Sequence, residues 1–201
     1  MMMKNVKILI SERQIKRILK EELTPKEIDN LKRLAASKVD ENIRVAFAIG
    51  EPSGLGLELL KVWINSFNPF YKLDKILDYK TISLNNRNIS YIPDSIEYLV
   101  NLELLDLGNN NLTEIPASIG KLKSLTDLYI SKNHLITLPD SIGNLSNLEE
   151  ISARKNNLTT IPDSIGRLKK LEMLRLNRNS LKMDDIIKLK KMLPAHTKVE
   201  I

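Results

Sequence analysis

The chain has 201 residues, 42% of them hydrophobic, with 31 Lys and Arg against 25 Asp and Glu for a formal net charge of +6. That length suits one elongated domain, or one domain with a helical appendage, and the apolar share is enough for a sizeable core. The absence of cysteine excludes disulfides, thiolate zinc sites and cysteine nucleophiles together. No apolar run approaches a membrane span, and the opening MMMKNVKILISERQIK is too short and too broken in its apolar run for a secretory signal. The expectation is a soluble, cytoplasmic protein without membrane contact.

From the start, residues 11 to 23 read as a helix, with Ser11 and Gln14 as a capping box and Ile15, Ile18, Leu19 and Leu23 on one apolar stripe. A second helix begins at once, with Thr24 as N-cap, Pro25 at the first position, Glu27 as the box partner and Ile28, Leu31, Leu34 and Ala35 as the buried face. From Asp40 to Ile49 two patterns compete. Ile43, Val45, Phe47 and Ile49 alternate as in a strand, while Ile43 and Phe47 also lie one helical turn apart; helix is the favoured reading. Gly50, Pro52 and Gly54 break the chain, and Leu59, Leu60, Trp63, Ile64 and Phe67 then form an amphipathic helix. The glycine-rich segment 50–56 lacks the Gly-Lys-Ser/Thr ending of a phosphate loop and reads as a plain turn.

Residues 79 to 181 repeat one pattern five times. Tyr79, Leu102, Leu125, Leu148 and Leu171 are spaced by 23, and within each unit the apolar places are the first, fourth, sixth and eleventh, as in Leu102, Leu105, Leu107 and Leu112. Alternation through Leu105, Asp106 and Leu107 predicts a short strand with one buried face. The ninth place holds Asn110, Asn133, Asn156 and Asn179, whose amides both donate and accept and can satisfy the backbone exposed by a turn. Arg87 takes that place in the first unit, and Ala153 leaves the sixth place of the fourth unit thin. Ile92-Pro93, Ile115-Pro116, Leu138-Pro139 and Ile161-Pro162 then stop the ladder and send the chain to the opposite side.

The spacing L-x-x-L-x-L-x-x-N-x-L resembles the leucine-rich repeat. Its Ile-Pro-x-Ser-Ile-Gly form is similar to the 23-residue repeats of the intracellular Ras-associated and Ras-suppressor-like group and of many bacterial repeat proteins. The resemblance implies an α/β fold: a right-handed curved solenoid with a parallel concave sheet. On this reading residues 1–78 form a helical N-terminal cap region, 79–181 the five repeats, and 182–201 a C-terminal cap. That last cap is expected as a helix from Asp184 or Asp185 through Ile186, Leu189 and Leu193 to Pro194, followed by a short strand at Val199 to Ile201.

Function is then expected on the concave face, at the third, fifth, seventh and eighth places. The candidate partner-binding residues are Asp106, Asp127, Tyr129, Lys132, Arg154, Lys155, Arg175 and Arg178. Residues 148–201 hold twelve Lys and Arg against seven Asp and Glu, +5 of the chain's +6, so charge gathers at one end. Guanidinium groups beside an exposed tyrosine suit a protein interface, and the resemblance implies a non-enzymatic module for a protein or peptide, with an acidic one fitting the basic end. No cofactor is expected. His134 and His196 lie in different repeat registers and do not pair as metal ligands, and the carboxylates lie on an open face rather than in a dry cleft. The alternatives are an enzyme-associated or effector role in the N-terminal region and nucleic-acid binding through the basic half. The first lacks a nucleophile or metal cluster in residues 1–78, and the second has a single aromatic on the face.

Overall fold

The computed structural model describes residues 23–37, 40–52 and 54–201, so residues 11 to 22 of the first expected helix lie outside the described residues. The chain divides into two compact units, Met1–Ser66 and Phe67–Ile201.

In the first unit, helix α1 (Pro25–Ala35) starts at a complete capping box. The Thr24 amide donates to Glu27 Oε2 at 2.9 Å and the Glu27 amide to Thr24 Oγ1 at 3.4 Å. Helix α2 (Asp40–Gly50) settles the competing patterns in favour of the helix. It buries Ile43, Ala46 and Phe47 and leaves Val45 half-buried, the spacing of a helical face rather than of alternate strand positions. Helix α3 (Gly56–Phe67) buries Leu59, Leu60, Trp63 and Ile64 completely. The glycine segment between α2 and α3 is a turn closed by Leu55 N–H donating to the Gly50 carbonyl at 2.8 Å. A Cβ on Gly50 would lie 2.2 Å from Leu59 Cδ1, so that glycine is explained by packing of α3.

The second unit is a repeat stack. Strands β1 (Thr81–Ser83), β2 (Leu104–Asp106), β3 (Asp127–Tyr129), β4 (Glu150–Ser152), β5 (Met173–Arg175) and β6 (Lys198–Glu200) form one parallel sheet in sequence order. From β1 to β5 each residue pairs with the one 23 places on, as Leu105 with Leu128 and Leu128 with Ile151. The last step is longer: Leu174 pairs with Val199, because helix α4 (Met183–Met192) replaces the shorter return of the other repeats. The expected C-terminal helix and strand are therefore present, with the strand joined to the sheet.

The returns themselves are 3-10 turns, Asp94–Tyr98, Ala117–Lys121, Asp140–Asn144 and Asp163–Arg167, which the repeat pattern alone did not specify. Each follows a proline held at φ between −65° and −70°. A Cβ on Gly120 would lie 2.5 Å from the Ser141 carbonyl oxygen, and one on Gly143 2.2 Å from that of Ser164, so successive turns stack backbone to backbone. On the inner side, Leu102, Leu105, Leu107 and Leu112 are all at or below 1% exposure, and their equivalents continue the same core. Ahead of β1, Tyr71 and Tyr79 meet edge to face at 4.8 Å, and the Tyr71 hydroxyl accepts from the Ser83 amide at 2.7 Å.

The asparagine column does more than close its own turn. Asn133 Oδ1 accepts from the Leu112 amide at 2.9 Å, and its Nδ2 donates to Ile130 O at 3.1 Å and to Leu107 O, one repeat earlier, at 3.0 Å. Asn110, Asn156 and Asn179 make the equivalent bonds, and Asn110 also takes the Arg87 amide at 3.0 Å. Arg87 thus needs no amide of its own to close the first unit.

Asn133→Ala should lower unfolding free energy by about 1–3 kcal/mol per buried group left unpaired, read by chemical denaturation. A neutral result would mean that water replaces the amide. Gly143→Ala should cost about 1–3 kcal/mol by forcing adjacent turns apart. Gly166→Ala should cost less, since its Cβ would meet the nearest atom, Met192 O, at 3.1 Å. Equal stability of both glycine variants would refute the close-stacking account.

Candidate functional site

Each strand is three residues long and turns its middle residue inward, so Leu105, Leu128, Ile151 and Leu174 are fully buried while both flanking residues look outward. Parallel register then lines up the outward residues across the sheet. One row runs Ser83, Asp106, Tyr129, Ser152, Arg175 and Glu200, and another Thr81, Leu104, Asp127, Glu150, Met173 and Lys198. Asp106, Tyr129 and Arg175 therefore share a row, Asp127 lies in the next, and Arg154 with the exposed Lys132, Lys155 and Arg178 lies past the strand ends.

These groups are tied into the fold to very different degrees. Asp106 accepts from the Gly108 amide at 2.9 Å, from Ser83 Oγ at 3.3 Å and from Asn85 Nδ2. Asp127 accepts from Thr126 Oγ1 at 2.7 Å and from the Tyr129 hydroxyl at 3.2 Å. Burial raises the Tyr129 phenol above its ordinary value, and the neighbouring Asp127 carboxylate pushes it the same way.

Arg154 and Arg175 do not stand free to clamp a partner. Arg175 pairs with Glu150 through Nη1 and reaches Glu200 through Nε at 3.6 Å, while Arg154 Nη2 pairs with the same Glu200. The chain Glu150, Arg175, Glu200, Arg154 stitches β4 and β5 to the last strand. Glu150 was visible in the sequence as an outward residue. Glu200 alternates outward in the expected last strand, but its place opposite Arg175 was not legible, because it depends on the two extra residues in the final register.

The two ends of the strands differ in charge. At one end, Asp127, Glu149, Glu150, Glu172, His196 and Lys198 line an open hollow of about 420 Å³. At the other, Arg154, Lys155, Asn177, Arg178 and Glu200 line one of about 360 Å³. The sequence suggested a gradient along the stack; the structure adds one across it. Among the described residues no group of three or more His, Cys, Asp or Glu converges as metal ligands, and no helix is long and apolar enough to cross a membrane.

The Tyr129 phenolate band should appear at higher pH than that of free tyrosine, and Asp127→Asn should bring it down, as read by ultraviolet difference titration. Because the folded value is raised, the stability contribution is complete below the ordinary tyrosine value and is lost as pH climbs through the folded value. Arg175→Glu should destabilise by about 1 kcal/mol or more, since it sets a carboxylate against Glu150 and Glu200. The swap Glu150→Arg/Arg175→Glu should restore part of that loss in a denaturation cycle, and no recovery would mean the pair contributes nothing.

A family model described as "Leucine-rich repeat region" matches residues 57–193. A solved leucine-rich repeat protein of Leptospira interrogans is 34% identical, with a TM-score of 0.59 over 61% of this chain and 31% of that one. An internalin of Listeria monocytogenes is 22% identical, with a TM-score of 0.53 over 71% of this chain and 36% of that one, a likeness of fold. The chain spans about a third of the length of these two structures. No curated protein matches the sequence.

Proposed function

The chain belongs to the leucine-rich repeat family, and from that premise we propose that the outward face of its sheet docks a protein or peptide without catalysing a reaction. Repeat stacks of this kind present extended surfaces that suit recognition. The observation that carries the reading is the register. It brings Leu104, Tyr129 and Met173 from three different strands onto one outward surface, with Asp127 and Glu150 standing between Leu104 and Met173, so that apolar and aromatic contacts alternate with charged ones. The open form of both hollows supports binding rather than a water-excluding reaction centre.

The partner is proposed to be acidic where it meets the basic ends of β3 to β5, and the location is proposed as cytoplasmic. Nucleic acid is the weaker fit, because Tyr129 is the single aromatic among the outward places and stacking platforms need several.

The test is capture of partners from lysate of the native host with wild-type protein, with Tyr129→Ala/Met173→Lys, and with Lys121→Glu on a 3-10 turn as control. The double variant should lose the partner while still unfolding in one cooperative transition, and the control should keep it. The opposite pattern would move the site to the 3-10 side.

A further inference from the structure

The eighth place of every repeat has the same unusual backbone. Asn86, Asn109, Lys132, Lys155 and Arg178 have φ of 57°, 54°, 57°, 53° and 60°, the left-handed region that asparagine tolerates and long side chains do not. The conformation is held by the ladder: the Asn109 amide donates to Ser131 O at 2.8 Å, that of Lys132 to Arg154 O at 2.8 Å, and that of Lys155 to Asn177 O at 2.9 Å. The first two repeats fill the place with the suitable residue. The next three fill it with cations.

That choice costs the fold twice at the same positions. Each long side chain is strained where asparagine would not be, and three like charges stand on adjacent rungs about 4.8 Å apart. The described residues form no ion pair with Lys132, Lys155 or Arg178, whereas Arg154 and Arg175 are both paired, and Glu200, which lines the hollow beside Lys155 and Arg178, is engaged by those two arginines. All three are exposed. Beside Lys155 and Arg178 lies the hollow of about 360 Å³, where Arg154 Nε and Asn177 Oδ1 are buried without a hydrogen-bond partner among the described residues.

We propose that Lys132, Lys155 and Arg178 form a cationic ridge that recognises an acidic segment of the protein partner. The inference rests on the docking role proposed above and locates its charge reading on the ridge, away from the paired arginines. A segment with several carboxylates neutralises all three rungs at once, which removes the repulsion in the complex and gives the strained positions a use. The exposed setting makes the interaction sensitive to salt.

The experiment measures anisotropy of a fluorescein-labelled poly-Glu peptide, its Gln counterpart and a single-stranded oligonucleotide against the full chain. The wild type should bind the Glu peptide, more weakly as salt rises, and should not bind the Gln peptide. Lys132→Asn/Lys155→Asn/Arg178→Asn should bind the Glu peptide about ten-fold more weakly or worse and melt at a higher temperature than wild type. The same three positions changed to Gln should lose binding with a smaller rise in melting temperature, because the left-handed strain remains. Full affinity in both triple variants overturns the proposal, as does tighter, ridge-dependent binding of the oligonucleotide. If the captured partner is lost with Tyr129→Ala/Met173→Lys but kept by the triple variants, the ridge is wrong and the docking face stands. If every one of these variants keeps the partner, the docking face itself is wrong.

Discussion

A strand of three residues makes few ladder bonds, and the turn that follows it carries buried amides and carbonyls that water cannot reach. Asn110, Asn133, Asn156 and Asn179 resolve that problem with one side chain per repeat, each spanning its own turn and the one before it. A neutral amide is suited to this because it donates and accepts from one planar group, and the low-dielectric surroundings make each satisfied bond count. Since each asparagine holds two repeats together, no repeat is stable alone, and the sheet exists only as a stack.

The opposite side of the stack is set by close approach rather than by polar bonding. Proline ends the extended run at a fixed φ, the chain makes one 3-10 turn, and glycine removes the Cβ that would strike the next turn. The final repeat departs from this scheme. Helix α4 needs more chain than a 3-10 turn, so β6 joins the sheet two residues out of step, and that offset delivers Glu200 to Arg154 and Arg175.

Charge on the outward face consequently divides into two populations. The arginines nearest the sheet are part of its construction, bridging β4 and β5 to β6. Lys132, Lys155 and Arg178, past the strand ends, are held in a backbone conformation that opposes them and form no ion pair among the described residues. Composition counts both alike, and only geometry separates a charge that closes the fold from one that is open to a second molecule.

The repeat, its period, the buried places, the asparagine column and the helix at each expected position from Thr24 onward were legible in the residues alone, because these rest on local periodicity and on residues with one dominant conformational use. The sequence also identified the outward residues, since alternation assigns a face to each strand position. It could not assign their partners. Glu200 meets Arg154 and Arg175 through a register shift, Gly143 is required by a serine carbonyl one repeat away, and Lys132, Lys155 and Arg178 are set apart from Arg154 and Arg175 by φ and by the ion pairs they do not form among the described residues. Those facts depend on distances between residues 20 or more places apart or on backbone angles that residue type does not reveal, and only the stacked tertiary structure fixes them.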